Sequence, residues 1–120
     1  MKPETRRWLA QSDEEFKTAV INFRVKKYFS AAFWCQQSVE KGLKAMLIEK
    51  TRDFPKIHDL LKLAQLNKSP DRIQELCTLL NPAYTASRYP DVPKKYTQEE
   101  CHQLVNSCKE VLAWIKKNLR

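Results

Sequence analysis

The sequence predicts an all-α fold: an up-and-down four-helix bundle with one additional short helix, five helices in all. Apolar residues recur at helical spacing almost throughout the chain, and period-two alternation is hard to find. A single Gly in 120 residues leaves no supply of the positive-φ positions that tight hairpins need. The six Pro fit helices joined by short, proline-marked turns. The length suits one hydrophobic core, so residues 1–120 read as a single domain.

The first helix is expected from about Glu4 to Lys27. Trp8, Ser12, Phe16, Ala19, Val20 and Phe23 form its stripe, and Pro3 sits at its start, where a missing N–H costs nothing. After a break at Tyr28 to Ser30, a second helix capped by Ser30 runs to about Lys50, with Ala32, Cys35, Val39, Leu43, Met46 and Leu47 on its stripe. Gly42 stands inside this helix at a cost of about 1 kcal/mol relative to Ala, which predicts a close helix–helix approach there. A loop through Phe54 and Pro55 leads to a short third helix over about Ile57 to Leu66. Ser69 and Pro70 read as cap and first position of a fourth helix, which carries Ile73, Leu76, Cys77 and Leu80 and continues, kinked at Asn81–Pro82, towards Ala86.

Two prolines three apart forbid a regular helix from Arg88 to Tyr96. Thr97 and Glu100 then form a capping box for the last helix. Its stripe of Cys101, Leu104, Val105, Cys108, Val111, Leu112, Ile115 and Leu119 is the cleanest in the chain, and Lys116, Lys117 and Arg120 sit against the C-terminal end of the helix dipole. The rings of Tyr28, Phe29, Phe33 and Trp34 crowd one turn. Positions 33 and 34 point about 100° apart, so one of those two rings is expected at a surface, as a partner patch or half-buried under the turn.

Composition bounds the chemistry. With one Gly there is no glycine-rich phosphate loop and no dinucleotide fingerprint. The net charge of +8 suits either a polyanionic partner or plain solubility. No signal peptide or membrane span is evident. The four Cys all fall within helical patterns. Cys101 and Cys108 are two turns, ~10 Å, apart along one helix and cannot bridge each other. Without a C-x-x-C pair no metal site is expected, and buried, reduced thiols in a cytoplasmic protein are. No cofactor is implied.

Few residues could carry chemistry. His58, beside Asp59, reads either as a general base or as a structural bridge between helices, with Asp59 only a cap. His102 lies off its helix stripe and is expected to be solvated. Gln37, Glu40, Lys41 and Lys44 make a polar ridge. It is either a solvated face held by the Glu40–Lys44 pair, or a surface where the lysines meet phosphates and Gln37 reads a base or ribose edge. The loop Arg88-Tyr89-Pro90-Asp91, followed by Lys94-Lys95-Tyr96, combines cations with stackable rings, unless Arg88 and Asp91 pair to fix the loop.

Three motifs in order resemble the HEPN (higher eukaryotes and prokaryotes nucleotide-binding) domain. They are Phe33-x-x-x-Gln37-x-x-Glu40-Lys41-x-x-Lys44-Ala45, then His58-Asp59-Leu60, then Ser87-Arg88-Tyr89-Pro90-Asp91. The first helix adds Ala10-x-x-Asp13, and the similarity covers nearly the whole chain. The resemblance implies a five-helix fold around an up-and-down four-helix bundle, a homodimer, and a minimal nucleotidyltransferase partner in a toxin–antitoxin-like module. It points to Gln37, Glu40, Lys41, Lys44, His58, Arg88, Tyr89 and Asp91 as the functional surface, with Lys94 and Lys95 adding charge to the loop. The family's metal-independent RNases carry an Arg and a His a few residues apart. Here the first His after Arg88 is His102, beyond that spacing. The leading expectation is therefore a non-catalytic nucleotide- or RNA-binding module. Its rivals are an RNase toxin using Arg88 with His58 or His102, and a protein-interaction module whose loop is structural.

Overall fold

The computed structural model describes residues 1–86, 89–91 and 95–119. They form α1 (Pro3–Arg24), α2 (Tyr28–Thr51), α3 (Leu60–Leu66), α4 (Asp71–Leu80), α5 (Pro82–Ala86) and α6 (Gln98–Asn118), with no strand among them. Helices α4 and α5 continue each other across the kink expected at Asn81–Pro82. Counted as one bent helix, they leave the five-helix bundle read from the sequence.

The capping signals explain where the helices begin and end. Thr97 and Glu100 make both bonds of the capping box at 3.1 Å. Asp59 is the N-cap of α3, accepting from the Lys62 amide at 3.2 Å, so that helix starts at Leu60 rather than Ile57. Ser69 caps the preceding helix instead of the following one: its hydroxyl donates to the Ala64 carbonyl, and α4 begins after Pro70. The first connection is also tighter than expected. Lys26 takes a left-handed φ of 65°, so the chain reverses at once and α2 starts at Tyr28, with Ser30 inside it.

Helix α2 is the centre of the bundle. It packs against α1 on one side, α6 on another, and α3, α4 and α5 across the rest. Of its 24 residues, 14 are buried, and they extend well beyond a single stripe. The predicted stripe of Cys35, Val39, Leu43 and Met46 lies in the core. A second face, not read from the sequence, meets α1. Thr5, Ser12 and Ala19 on α1 and Ala31, Ser38 and Ala45 on α2 are each spaced by seven residues, and all six are fully buried. Small side chains in a seven-residue repeat keep two nearly antiparallel helices close over several turns. At the middle, the Ser12 hydroxyl donates to the Ser38 carbonyl at 2.6 Å and the Ser38 hydroxyl donates to the Ser12 carbonyl at 2.7 Å.

Gly42 lies one turn beyond Ser38. A Cβ there would stand 2.9 Å from Ile115 Cδ1 and 3.3 Å from both Leu112 Cδ2 and Ser12 Oγ. The glycine is where α1, α2 and α6 converge, as its mid-helix position predicts. The aromatic cluster is half-buried, with Phe33 and Trp34 edge-to-face at 5.2 Å, and Phe29 is its most exposed ring. All four cysteines are free and buried. Burial pushes the Cys77 and Cys101 thiols up to about 12, and the Cys108 thiol, with burial second, holds Cys35 well above the ordinary thiol range. No helix among the described residues is long and apolar enough to cross a membrane.

Two outcomes test this packing. Helix propensity alone would make Gly42→Ala stabilising by about 1 kcal/mol, but crowding a filled core costs about 1–3 kcal/mol. The variant should therefore lose roughly 1 kcal/mol in urea unfolding, and a gain would show that the three helices can move apart. The four thiols should also resist alkylation by iodoacetamide in the folded protein at mildly alkaline pH and react only on unfolding. Native-state labelling of any of them would contradict the burial described.

Candidate nucleotide site

Polar residues on the buried faces of a helix must find hydrogen-bond partners along it or from neighbouring elements. Glu40 is the main case. Its carboxylate accepts from Lys44 Nζ at 3.0 Å, one turn along α2, and lies 3.0 and 3.1 Å from His58 Nδ1. Gln36, one turn before Glu40 and fully buried, donates to the His58 carbonyl at 3.0 Å. The loop before α3 is thus fastened to α2 through both the ring and the backbone of His58.

A second set of bonds fixes the same loop from the other side. Asn81, at the kink between α4 and α5, accepts from the Leu60 amide at 2.7 Å and donates to the Asp59 carboxylate at 2.9 Å. The Asn81 bond, followed by the Lys62 amide, holds the Asp59 carboxyl below its ordinary range. On the next turn, the Tyr84 ring lies 4.4 Å from the His58 ring, centroid to centroid. His58, Asp59, Asn81, Tyr84 and Thr85 line a cleft of about 300 Å³.

The His58 side chain is 55% exposed although Nδ1 is held by a carboxylate that is 7% exposed. A carboxylate on Nδ1 makes that nitrogen the donor. In the neutral ring Nε2 is then an acceptor at the cleft; in the charged ring it is a donor. The cleft can therefore offer a hydrogen bond to a phosphate or hydroxyl beside an aromatic face.

The expected ridge does not stand as one solvated face. Glu40 and Lys44 are buried against each other, and Lys44 Nζ also lies 5.3 Å above the Phe54 ring. Lys41 turns towards α1, 2.5 Å from Glu15 Oε2, which also accepts from Gln11 at 2.8 Å. Gln37 is half-buried and donates to Gln36 Oε1 at 2.7 Å. Tyr89 and Asp91 are exposed, and the Tyr89 amide donates to the Thr85 carbonyl at 3.3 Å, so the loop leaves directly from the cleft wall. Lys95 is exposed beside Tyr96, whose ring packs on Phe29, about 16 Å along α2 from Glu40. Arg88 and Lys94 lie outside the described residues. His102 is exposed and stacked on Phe23, lining a separate cleft with Gln98 and Glu99.

The structure thus brings Glu40, Lys44 and His58 together and adds Gln36, Asn81, Tyr84 and Thr85. The i, i+4 spacing of Gln36 and Glu40 was a usable signal, as was Asn81 immediately before a helix-kinking Pro. Tyr84 carried none. No group of His, Cys, Asp and Glu among the described residues could hold a metal ion.

A family model of the HEPN domain matches residues 5–119. The crystal structure of an archaeal HEPN homologue is 28% identical, with a TM-score of 0.84, and the alignment covers 100% of both chains. A protein of the same fold from Thermus thermophilus is 23% identical, with a TM-score of 0.87, over 97% of this chain and 98% of its own. No curated protein matches the chain significantly in sequence.

Removing one partner of a buried ion pair strands the other. Glu40→Ala should cost about 3–5 kcal/mol of stability. Glu40→Leu combined with Lys44→Met should lose less than Glu40→Ala alone, since neither charge is then stranded. Urea unfolding of the three proteins measures both. Equal losses in the single and the double variant would mean that the pair is solvated.

Proposed function

We propose that this protein, which belongs to the HEPN domain family, is a nucleotide- or RNA-binding module whose ligand sits in the cleft between α3 and the α4–α5 kink. The observation that carries the reading is the His58 ring. It is held at Nδ1 by a buried carboxylate, faces Tyr84, and keeps its other edge at a cleft of about 300 Å³. Such a ring pair suits a base or ribose, and we assign the guanidinium of Arg88, three residues on from Thr85 in the sequence, to the ligand's phosphate. The net charge of +8 favours a polyanion over a neutral ligand.

The finer reading follows the family resemblance: a homodimer acting with a minimal nucleotidyltransferase in a toxin–antitoxin-like module. Exposed Ile21 and Val25, one turn apart at the end of α1, support a docked second chain. A second function is favoured by the Glu40–His58 contact, because a carboxylate on Nδ1 orients the ring as a general base. In that reading His58 Nε2 takes the proton of an RNA 2′-hydroxyl as that oxygen bonds to the adjacent phosphorus; the bond from phosphorus to the 5′-oxygen of the next nucleotide breaks, and that oxygen leaves with a proton from water, giving a 2′,3′-cyclic phosphate and a 5′-hydroxyl.

Titration of the protein with mononucleotides at low salt separates these readings. His58→Ala and Arg88→Ala should each weaken binding about tenfold, the scale of one lost stacking or charged contact. Absence of binding, or unchanged binding in both variants, would sink the cleft as a ligand site. Cleavage of labelled RNA in EDTA that vanishes in His58→Ala would establish the enzyme.

A further inference from the structure

Beyond the His58 cleft, one line of contacts leads across the molecule to a second, unassigned surface. Lys44, paired with Glu40, lies over Phe54. Phe54 meets Trp8 edge-to-face at 4.6 Å and an interplanar angle of 64°. Trp8, with Arg7, Gln11 and Lys41, lines a shallow cleft of about 190 Å³. Arg7 is shared with an adjoining cleft of about 390 Å³ that also takes in Lys2 and Arg52. The Trp8–Phe54 ring pair beside these clefts is therefore linked to the His58 end through the buried Lys44 and Glu40 side chains.

The charges along this line favour an anion. Lys41 and Lys44 are neutralised by Glu15 and Glu40. Arg7 and Arg52 are exposed, and neither is ion-paired with a carboxylate among the described residues. Of the acids nearby, Glu49 is already held by the Lys2 amide and the Thr5 hydroxyl, which keep its carboxyl below the ordinary range. Glu4 is the single carboxylate lining the larger cleft among the described residues. Arg7 thus borders the half-buried indole of Trp8 on one side and shares the larger cleft with Arg52 on the other, while Trp8 meets Phe54, which lies under the Lys44 that pairs with Glu40. Alternating cations and rings on a shallow surface suit unpaired bases on a phosphate backbone, because a duplex keeps its base faces stacked inside.

We propose that this face is a track for single-stranded RNA: a strand seated at the His58 cleft continues over Phe54 to Trp8, where a base stacks, while Arg7 and Arg52 take its phosphates. The inference rests on the RNA-binding reading of the His58 cleft and names its ligand class as an oligonucleotide rather than a mononucleotide.

The test uses uridine monophosphate and a ladder of oligouridylates up to about ten nucleotides, within the range of single-strand site sizes. Affinity should climb with length. Arg7→Ala combined with Arg52→Ala should lower oligonucleotide affinity about tenfold, and the salt slope should fall by about 0.7 per cation removed. The same pair should leave uridine monophosphate binding unchanged. Oligouridylate should quench tryptophan fluorescence in the wild type but not in Trp8→Phe. A mononucleotide bound as tightly as the longest oligonucleotide overturns the track and leaves the His58 cleft standing, as does an affinity indifferent to both Arg substitutions. If neither ligand binds, the His58 cleft and the track fall together.

Discussion

Most of helix α2 is enclosed by its neighbours, with 14 of its 24 residues buried, and this constraint organises the rest of the molecule. A polar group shut away from water costs several kcal/mol unless it is hydrogen-bonded. Several buried polar side chains on α2 therefore reach outside the helix: Ser38 reaches α1, and Gln36 and Glu40 reach the loop before α3. The backbone of α2 takes part as well, since the Leu43 carbonyl accepts from Asn67 at the end of α3. Helix order around α2 is thus set by specific bonds as well as by apolar area. The His58 cleft is a by-product of those bonds: the groups that satisfy Glu40 and Gln36 hold the imidazole at the surface.

The same constraint decides where charge is available. Much of the positive excess on the second helix is neutralised internally, Lys44 by Glu40 and Lys41 by Glu15. Both pairs sit where α2 is covered, so their role is to place side chains rather than to attract a ligand from solution. Two exposed guanidiniums lie instead near the start of α1 and just past the end of α2, where the antiparallel arrangement puts Arg7 and Arg52 side by side. The seven-residue repeat of small residues keeps that packing tight enough for the two helix ends to share a cleft.

Much of the architecture was legible in the sequence because it depends on local signals. The Thr97–Glu100 box, the kink at Pro82, the stripe of α6 and the close approach at Gly42 each rest on residues a few positions apart or on one residue type with one physical role. Boundaries shifted where a cap served its other neighbour, as at Ser69, or where a non-glycine residue took the left-handed conformation, as at Lys26. The site was legible in part. His58, Glu40 and Lys44 could be named, but nothing local said that Glu40 would be buried or that Lys41 would turn the other way.

The sequence by itself determined the helical class, the number and order of helices, and the buried thiols, because hydrophobic period, caps and proline positions act within one element. Tertiary structure alone decided which polar groups meet. Glu40 with His58, Asn81 with Asp59 and Tyr84 with His58 are separated by 18 residues or more, so no local signal sets them: the first follows from the burial of Glu40 on α2, and the other two from the packing of the α4–α5 kink on the loop before α3.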